Sequence, residues 1–164
     1  MILLNSVLVA TDFGKTSSAA LNYGRNLARA FGGTLRLLHV VDAVVMVSAA
    51  EFYPTGTSDL QAELVATASA QLDALLTTED RVRLRAEPAV RASDSVAGTI
   101  IEFAKQTHVD IIVVGTHGRG PVGHFLMGSV AEQVVRNAPC PVLVVRPNEH
   151  EFILPDPVTV STRI

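Results

Sequence analysis

The chain has 164 residues, 48% hydrophobic and 18% charged, with a formal net charge of −3. That length and apolar content suit one well-filled globular domain and exclude a disordered chain. The only concentration of basic residues, Arg81, Arg83 and Arg85, is flanked by Glu79, Asp80 and Glu87, so nucleic acid is excluded as the main partner.

Residues 4–11 end in Val7-Leu8-Val9-Ala10-Thr11, a short buried strand, followed by Asp12-Phe13-Gly14-Lys15. From Thr16 or Ser17 to about Phe31 the pattern is helical, with Ala20, Tyr23, Leu27, Ala30 and Phe31 recurring on one face. Gly24 interrupts that pattern at a cost of about 1 kcal/mol against alanine, and Gly32-Gly33 closes the helix. Thr34 to Val41 is the second strand. Residues 43–58, with Pro54 and Gly56, read as a mobile loop. Asp59 to about Thr77 is a second helix carrying Leu60, Leu64, Ala68, Leu72 and Leu75 as its core face. Arg81 to Arg91 alternates charged and apolar residues (Val82, Leu84, Ala86), which predicts a strand near a sheet edge. Ser93 or Asp94 caps a third helix running to about Thr107.

Ile111 to Val114 is an unbroken apolar run, the mark of a strand buried on both faces. Gly115, Gly118, Gly120 and Gly123 come next, then Gly128-Ser129 ahead of the helical pattern Val130–Val135. Ser129 with Glu132 three residues on predicts a capping box with Ser129 as N-cap. Pro139 and Pro141 bracket Cys140, Val142 to Val145 is the last strand, and residues 147–164 read as an extended tail. Strands alternating with helices predict an α/β fold: a five-stranded parallel, doubly wound (Rossmann-like) sheet of order 3-2-1-4-5 with helices on both faces.

In such sheets a ligand lies beyond the carboxyl ends of the strands, where the winding reverses. Asp12, after the first strand, and Gly115, after the fourth, are then neighbours across a crevice. A buried strand, a glycine-rich loop and a helix start together make an anion site. Glycines let backbone N–H groups close on phosphate oxygens, and the helix end adds partial positive charge. The competing reading is a long flexible connection, though loops of that length inside compact domains are uncommon without a task. No G-x-G-x-x-G stands after the first strand and no G-x-x-x-x-G-K-[ST] exists, which sets aside a dehydrogenase-type dinucleotide site and a P-loop. Asp12 stands without the acidic cluster of a phosphoacceptor. His39, His108, His117, His124 and His150 lack paired spacing, so no dedicated zinc site is expected. His39 reads as a strand residue with a satisfied ring nitrogen, and Cys140 as a small apolar side chain.

These residues carry a resemblance. Gly115, Gly118, Gly128 and Ser129 match G-x2-G-x9-G-[ST] without a gap, with Val-Leu-Val-Ala-Thr-Asp at 7–12, Leu-Leu-His-Val at 37–40 and Ala-Pro-Cys-Pro-Val-Leu-Val-Val-Arg at 138–146. The sequence resembles the universal stress protein family in its single-domain, ATP-binding form, over roughly residues 3–146. The resemblance implies a domain at 1–146; the tail 147–164 falls outside it, and Val158-Thr159-Val160 could add a short strand in an oligomer. The resemblance further implies a cofactor site of Ala10, Thr11, Asp12, Val40, Val114, Gly115, Thr116, His117, Gly118, Arg119, Gly128, Ser129 and Val130. Thr11 and Asp12 would meet the adenosine end, with Asp12 accepting from a ribose hydroxyl or helping to hold a metal. Val40 would lie against adenine. Gly115, Thr116 and His117 would line the ribose and first phosphate, and Gly118 and Arg119 would begin the phosphate loop. Gly128, Ser129 and Val130 would give N–H groups to the outer phosphates, with Mg²⁺ or Mn²⁺ screening their charge.

Hydrolysis needs a positioned water and a charge-stabilising group. Arg119 is the one obvious cation of the loop and no carboxylate stands there, so no catalytic residue is assigned. The expectation is ATP binding coupled to stress-response regulation, with at most slow hydrolysis. Its alternatives are a slow ATPase and a dimeric interaction module in which nucleotide is incidental. The resemblance also implies a homodimer paired through strand 142–146. No apolar run approaches a membrane span. The first residues lack the basic segment and cleavage site of a signal peptide, and one cysteine suits a reducing compartment, so the expected location is cytoplasmic.

Overall fold

The structure, a computed structural model, describes residues 1–43, 57–116 and 127–146. Five strands, β1 (Ser6–Ala10), β2 (Thr34–Asp42), β3 (Glu87–Ser93), β4 (Ile111–Gly115) and β5 (Val142–Val145), form one sheet of order β3-β2-β1-β4-β5. Every pairing is parallel. The architecture and the strand order are the expected ones. Among the described residues the helices are α1 (Lys15–Phe31), α2 (Thr57–Leu75), α3 (Thr78–Arg83), α4 (Val96–Gln106) and α5 (Ser129–Asn137).

β1 is the middle strand, and its apolar run is closed to water on both sides: Val7, Leu8 and Val9 are all 0% exposed. Side chains alternate across a strand, so Val7 and Val9 enter the core with Leu35, Leu37, α1 and Leu72 of α2. Leu8 enters the opposite core with Leu38, Ile112, α4 and α5. α1 sits unusually close to the sheet. A Cβ on Gly24 would lie 2.2 Å from Val9 Cγ2, so glycine in this helix is a requirement of packing. The face of α1 is built from Ser17, Ala20, Leu21, Tyr23, Gly24 and Ala28, whereas Phe31, expected on it, is 44% exposed. The helix has already turned Phe31 outward, and Gly32 ends it at φ 68°.

The third strand departs from expectation. Residues 78–83 are the helix α3, and the strand starts only at Glu87. The helix opens with a complete capping box: Thr77 Oγ1 accepts from Asp80 N–H at 3.1 Å, and the Asp80 carboxylate accepts from Thr77 N–H at 2.9 Å. Asp80 is 1% exposed and pairs with Arg25 of α1 at 2.9 Å. Burial pushes its carboxyl up, but hydrogen bonds from Arg25 and Thr77 and the guanidinium charge outweigh that and hold it below the ordinary value. The alternation read as a strand is therefore the spacing of a short helix and its exit, with Val82 74% exposed. β3 does lie at a sheet edge, where Pro88 is tolerated. Two other caps also move. Ser95, neither Ser93 nor Asp94, caps α4 by accepting from Gly98 N–H at 3.3 Å. Gly128, not Ser129, is the N-cap of α5 and makes no side-chain capping bond.

Candidate functional site

The order of the sheet reverses between β1 and β4, because β1 continues through α1 to β2 on one side while β4 lies on the other. A cavity of about 290 Å³ opens there. β1 contributes Ala10 and the residues just past it, Thr11 and Asp12; β2 contributes Leu38, His39 and Val40; β4 contributes Val114, Gly115 and the adjoining Thr116. Gly128 to Ala131 at the start of α5, Ser17 of α1, and Val96 and Ile100 of α4 complete the lining. Ala10, Thr11, Asp12, Val40, Val114, Gly115, Thr116, Gly128, Ser129 and Val130 thus come together around one space from four segments of the chain. His117, Gly118 and Arg119 lie outside the described residues, as do the segments 44–56 and 147–164.

The cavity has two chemistries. Leu38, Val40, Val96, Ile100, Val114 and Ala131 are apolar members of its lining; Thr11, Asp12, Ser17, Thr116 and Ser129 are polar ones. The polar members are ordered by local bonds. Thr11 donates its hydroxyl to Ser17 Oγ at 3.1 Å and accepts the Phe13 N–H at 3.0 Å. Asp12 Oδ1 accepts the Gly14 N–H at 3.0 Å, an Asx turn that steers the carboxylate. His39 Nδ1 lies 2.8 Å from the Thr11 carbonyl oxygen, so one ring nitrogen is satisfied as expected.

The glycine loop is pinned at both ends. Thr116 N–H donates to Val145 O at 2.8 Å, and its carbonyl accepts from Gly128 N–H at 2.6 Å. Gly128 N–H, assigned to phosphate by the resemblance, is thereby engaged within the protein. The first intrahelical bond of α5 runs from Glu132 N–H to Gly128 O, so the amides of Ser129, Val130 and Ala131 precede it at the helix start. Gly115 is close-packed too: a Cβ there would stand 2.8 Å from Thr16 Cγ2, so it lets the first turn of α1 approach β4.

Ser17, Leu38, His39, Val96, Ile100 and Ala131 were not among the expected site residues. Val96 and Ile100 are spaced i, i+4, which marks a helix face; only the crossing of α4 over the sheet decides that this face reaches the cavity. Among the described residues no group of three or more His, Cys, Asp or Glu side chains is placed to hold a metal, and Asp12 is the one carboxylate in the lining. No described helix is long and apolar enough to cross a membrane.

The fold has counterparts. The chain is 31% identical over 154 residues to Universal stress protein MJ0531 of Methanocaldococcus jannaschii, covering 91% of this chain and 86% of that one. It matches the solved structure of the hypothetical protein MJ0577 with a TM-score of 0.74 and 25% identity, over 91% of this chain and 100% of the other. A universal stress protein solved in complex with cAMP shares the fold with a TM-score of 0.57 at 21% identity, over 88% of this chain and 98% of its own. The family model described as Universal stress protein family matches residues 4–146. With that match over most of its length, the chain belongs to the universal stress protein family.

Proposed function

We propose that this chain binds an adenine nucleotide, ATP in its working form, in the crevice between β1 and β4. The observation that carries the reading is the convergence of ten residues from four separate segments on one cavity lined by both apolar and polar residues. A flat base needs the former, a sugar and an anion the latter. In this reading Val40, Ile100 and Val114 enclose adenine, and Asp12 accepts from a ribose hydroxyl. Thr116 and the amides of Ser129 and Val130 at the start of α5 face the phosphates, with His117, Gly118 and Arg119 of the loop. A universal stress protein with cAMP bound is consistent with adenine recognition by this fold.

A divalent cation such as Mg²⁺ is commonly held by one or two carboxylates together with phosphates. The single carboxylate of Asp12 fits a cation held chiefly by the nucleotide, and fits no dedicated metal cage. When bound, the ion neutralises phosphate charge; the chain's own residues orient the nucleoside and exclude water from the base. We place this activity in a cytoplasmic, stress-responsive regulator in which occupancy shifts the population of partner-binding states, with at most slow hydrolysis. The domain would end at 146, and the tail 147–164 would serve association.

A nucleotide-panel melting screen, with and without Mg²⁺ and on protein stripped of ligand, tests the reading. A shift with adenine nucleotides and none with pyrimidine nucleotides is the expected result. No shift with any adenine nucleotide overturns it. A dimeric interaction module is the second reading, favoured by β5. That strand is last in the sheet order and its Val142, Leu143 and Val144 are only half-buried. An apolar edge of that kind calls for cover. Sedimentation as a monomer at micromolar concentration would remove this second reading and leave the first untouched.

A further inference from the structure

The turn from β1 into α1 is held in a backbone shape that its sequence does not favour. Phe13 has φ 64°, a left-handed conformation rare for a bulky side chain. Three contacts hold it. Its N–H donates to Thr11 Oγ1 at 3.0 Å. Its ring meets the His39 imidazole with centroids 4.4 Å apart and planes inclined by 39°. Its side chain packs against the small cluster of Val41 and Ala68.

His39 grips the same turn a second time. A carbonyl can only accept, so the 2.8 Å contact with the Thr11 oxygen requires the proton on Nδ1. Thr11 N–H still continues the sheet, donating to Leu38 O at 2.9 Å. Its carbonyl lies past Ala10, the last residue of β1 paired with β2, and the His39 side chain takes it where the main-chain ladder ends. Asp12, which lines the cavity, sits between these two anchored residues. Peptide planes are rigid, so freeing Thr11 or Phe13 turns Asp12 with them.

We propose that His39 is a positioning residue for the nucleoside: by stacking on Phe13 and donating to Thr11 it aims the Asp12 carboxylate at the ribose. The site thereby selects ribonucleotides over deoxyribonucleotides. The inference rests on the nucleotide reading above. Nothing in it requires His39 to touch the nucleotide, and a role confined to stability would leave the sugar preference unchanged.

Calorimetric titration with ATP, 2′-deoxy-ATP and 3′-deoxy-ATP tests it. The unmodified chain should favour ATP over at least one deoxy analogue. His39→Phe keeps a ring but loses the donor, and should bring that preference about threefold to tenfold closer to one, the net value of one hydrogen bond. His39→Asn, whose amide can donate from a similar place, should recover part of it. Phe13→Leu, which keeps the bulk and loses the ring, should act like His39→Phe and serves if that variant does not fold. Equal weakening toward all three nucleotides, or no change, overturns the proposal. An unmodified chain that binds ATP without sugar preference overturns the proposal alone; one that binds no adenine nucleotide overturns the underlying reading with it.

Discussion

Replacing Gly24 by Ala sets two effects of opposite sign against each other. In a helix interior alanine is favoured over glycine by about 1 kcal/mol, so propensity alone predicts a more stable chain. The structure predicts the reverse. The new Cβ would lie 2.2 Å from Val9 Cγ2, far inside any real carbon–carbon contact. Val9 is 0% exposed on the middle strand, and its β-branched side chain has few rotamers to escape into. α1 must then lift from β1. Overpacking of a dense core costs about 1–3 kcal/mol, and so short a contact belongs at the upper end. The net expectation is a loss of about 1–2 kcal/mol, which lowers Tm by about 2–8 °C for a domain of this size.

Urea unfolding followed by circular dichroism measures the change, with an unaltered m-value showing that the native state and not the unfolded one was affected. Val9→Ala is the control, since it clears the space. In that background Gly24→Ala should cost little or stabilise, giving a coupling of at least about 1 kcal/mol. A Gly24→Ala variant as stable as the parent chain would refute the argument that this contact limits how closely α1 sits. α1 also carries Ser17 to the cavity, so weaker nucleotide binding should accompany the loss.

Arg25→Ala leaves the Asp80 carboxylate, 1% exposed, without its partner, and should cost about 3 kcal/mol in chemical denaturation. Because the carboxyl of Asp80 is held low in the folded chain, its contribution is fully present above the unfolded value near 3.8. It is lost as pH falls through the lower folded value, so acid titration of Arg25→Ala should show a shallower loss of stability over that window than the parent. Burial and the nearby Asp110 charge push the Cys140 thiol up; Asp110→Asn should therefore speed its alkylation at fixed pH, and an unchanged rate would count against that electrostatic cause. Gly128→Val should abolish the ATP-dependent melting shift while leaving the apo fold in place, since Gly128 has ordinary extended angles (φ −61°, ψ 149°). At a hundred times its Kd a nucleotide contributes about 2.7 kcal/mol, so the shift lost is about 5–11 °C. A full shift in Gly128→Val would remove the start of α5 from the site.

Much of the site was legible because its residues sit at the ends of elements whose patterns are unambiguous. Val7–Ala10 and Ile111–Val114 are continuous apolar runs, so both read as buried strands, and the residues just past the end of a buried parallel strand face the ligand end of the sheet. Gly118, Gly120 and Gly123, read as part of an anion site, lie outside the described residues. The region 78–86 was not legible in the same way. Val82, Leu84 and Ala86 alternate as a strand would, while Thr77 and Asp80 carry an equally local helix-start signal, and the buried Asp80–Arg25 pair supports the helix. The capping box expected at Ser129 failed for a related reason. Gly128 N–H is tied back to Thr116 O at 2.6 Å, which sets the helix start one residue earlier than the side-chain signal implies.

Local pattern was sufficient for the class of fold and the order of the sheet, because period and turn chemistry act over a few neighbouring residues; the ten members of the cavity lining were named through the resemblance carried by the glycine motif and its flanks. Which helix face reaches the crevice through Val96 and Ile100, why Gly24 cannot be alanine, and how His39 holds a turn 28 residues away were decided by contacts between segments far apart in the chain. Close packing and the pairing of buried polar groups act through space, and only the folded chain brings those partners within reach.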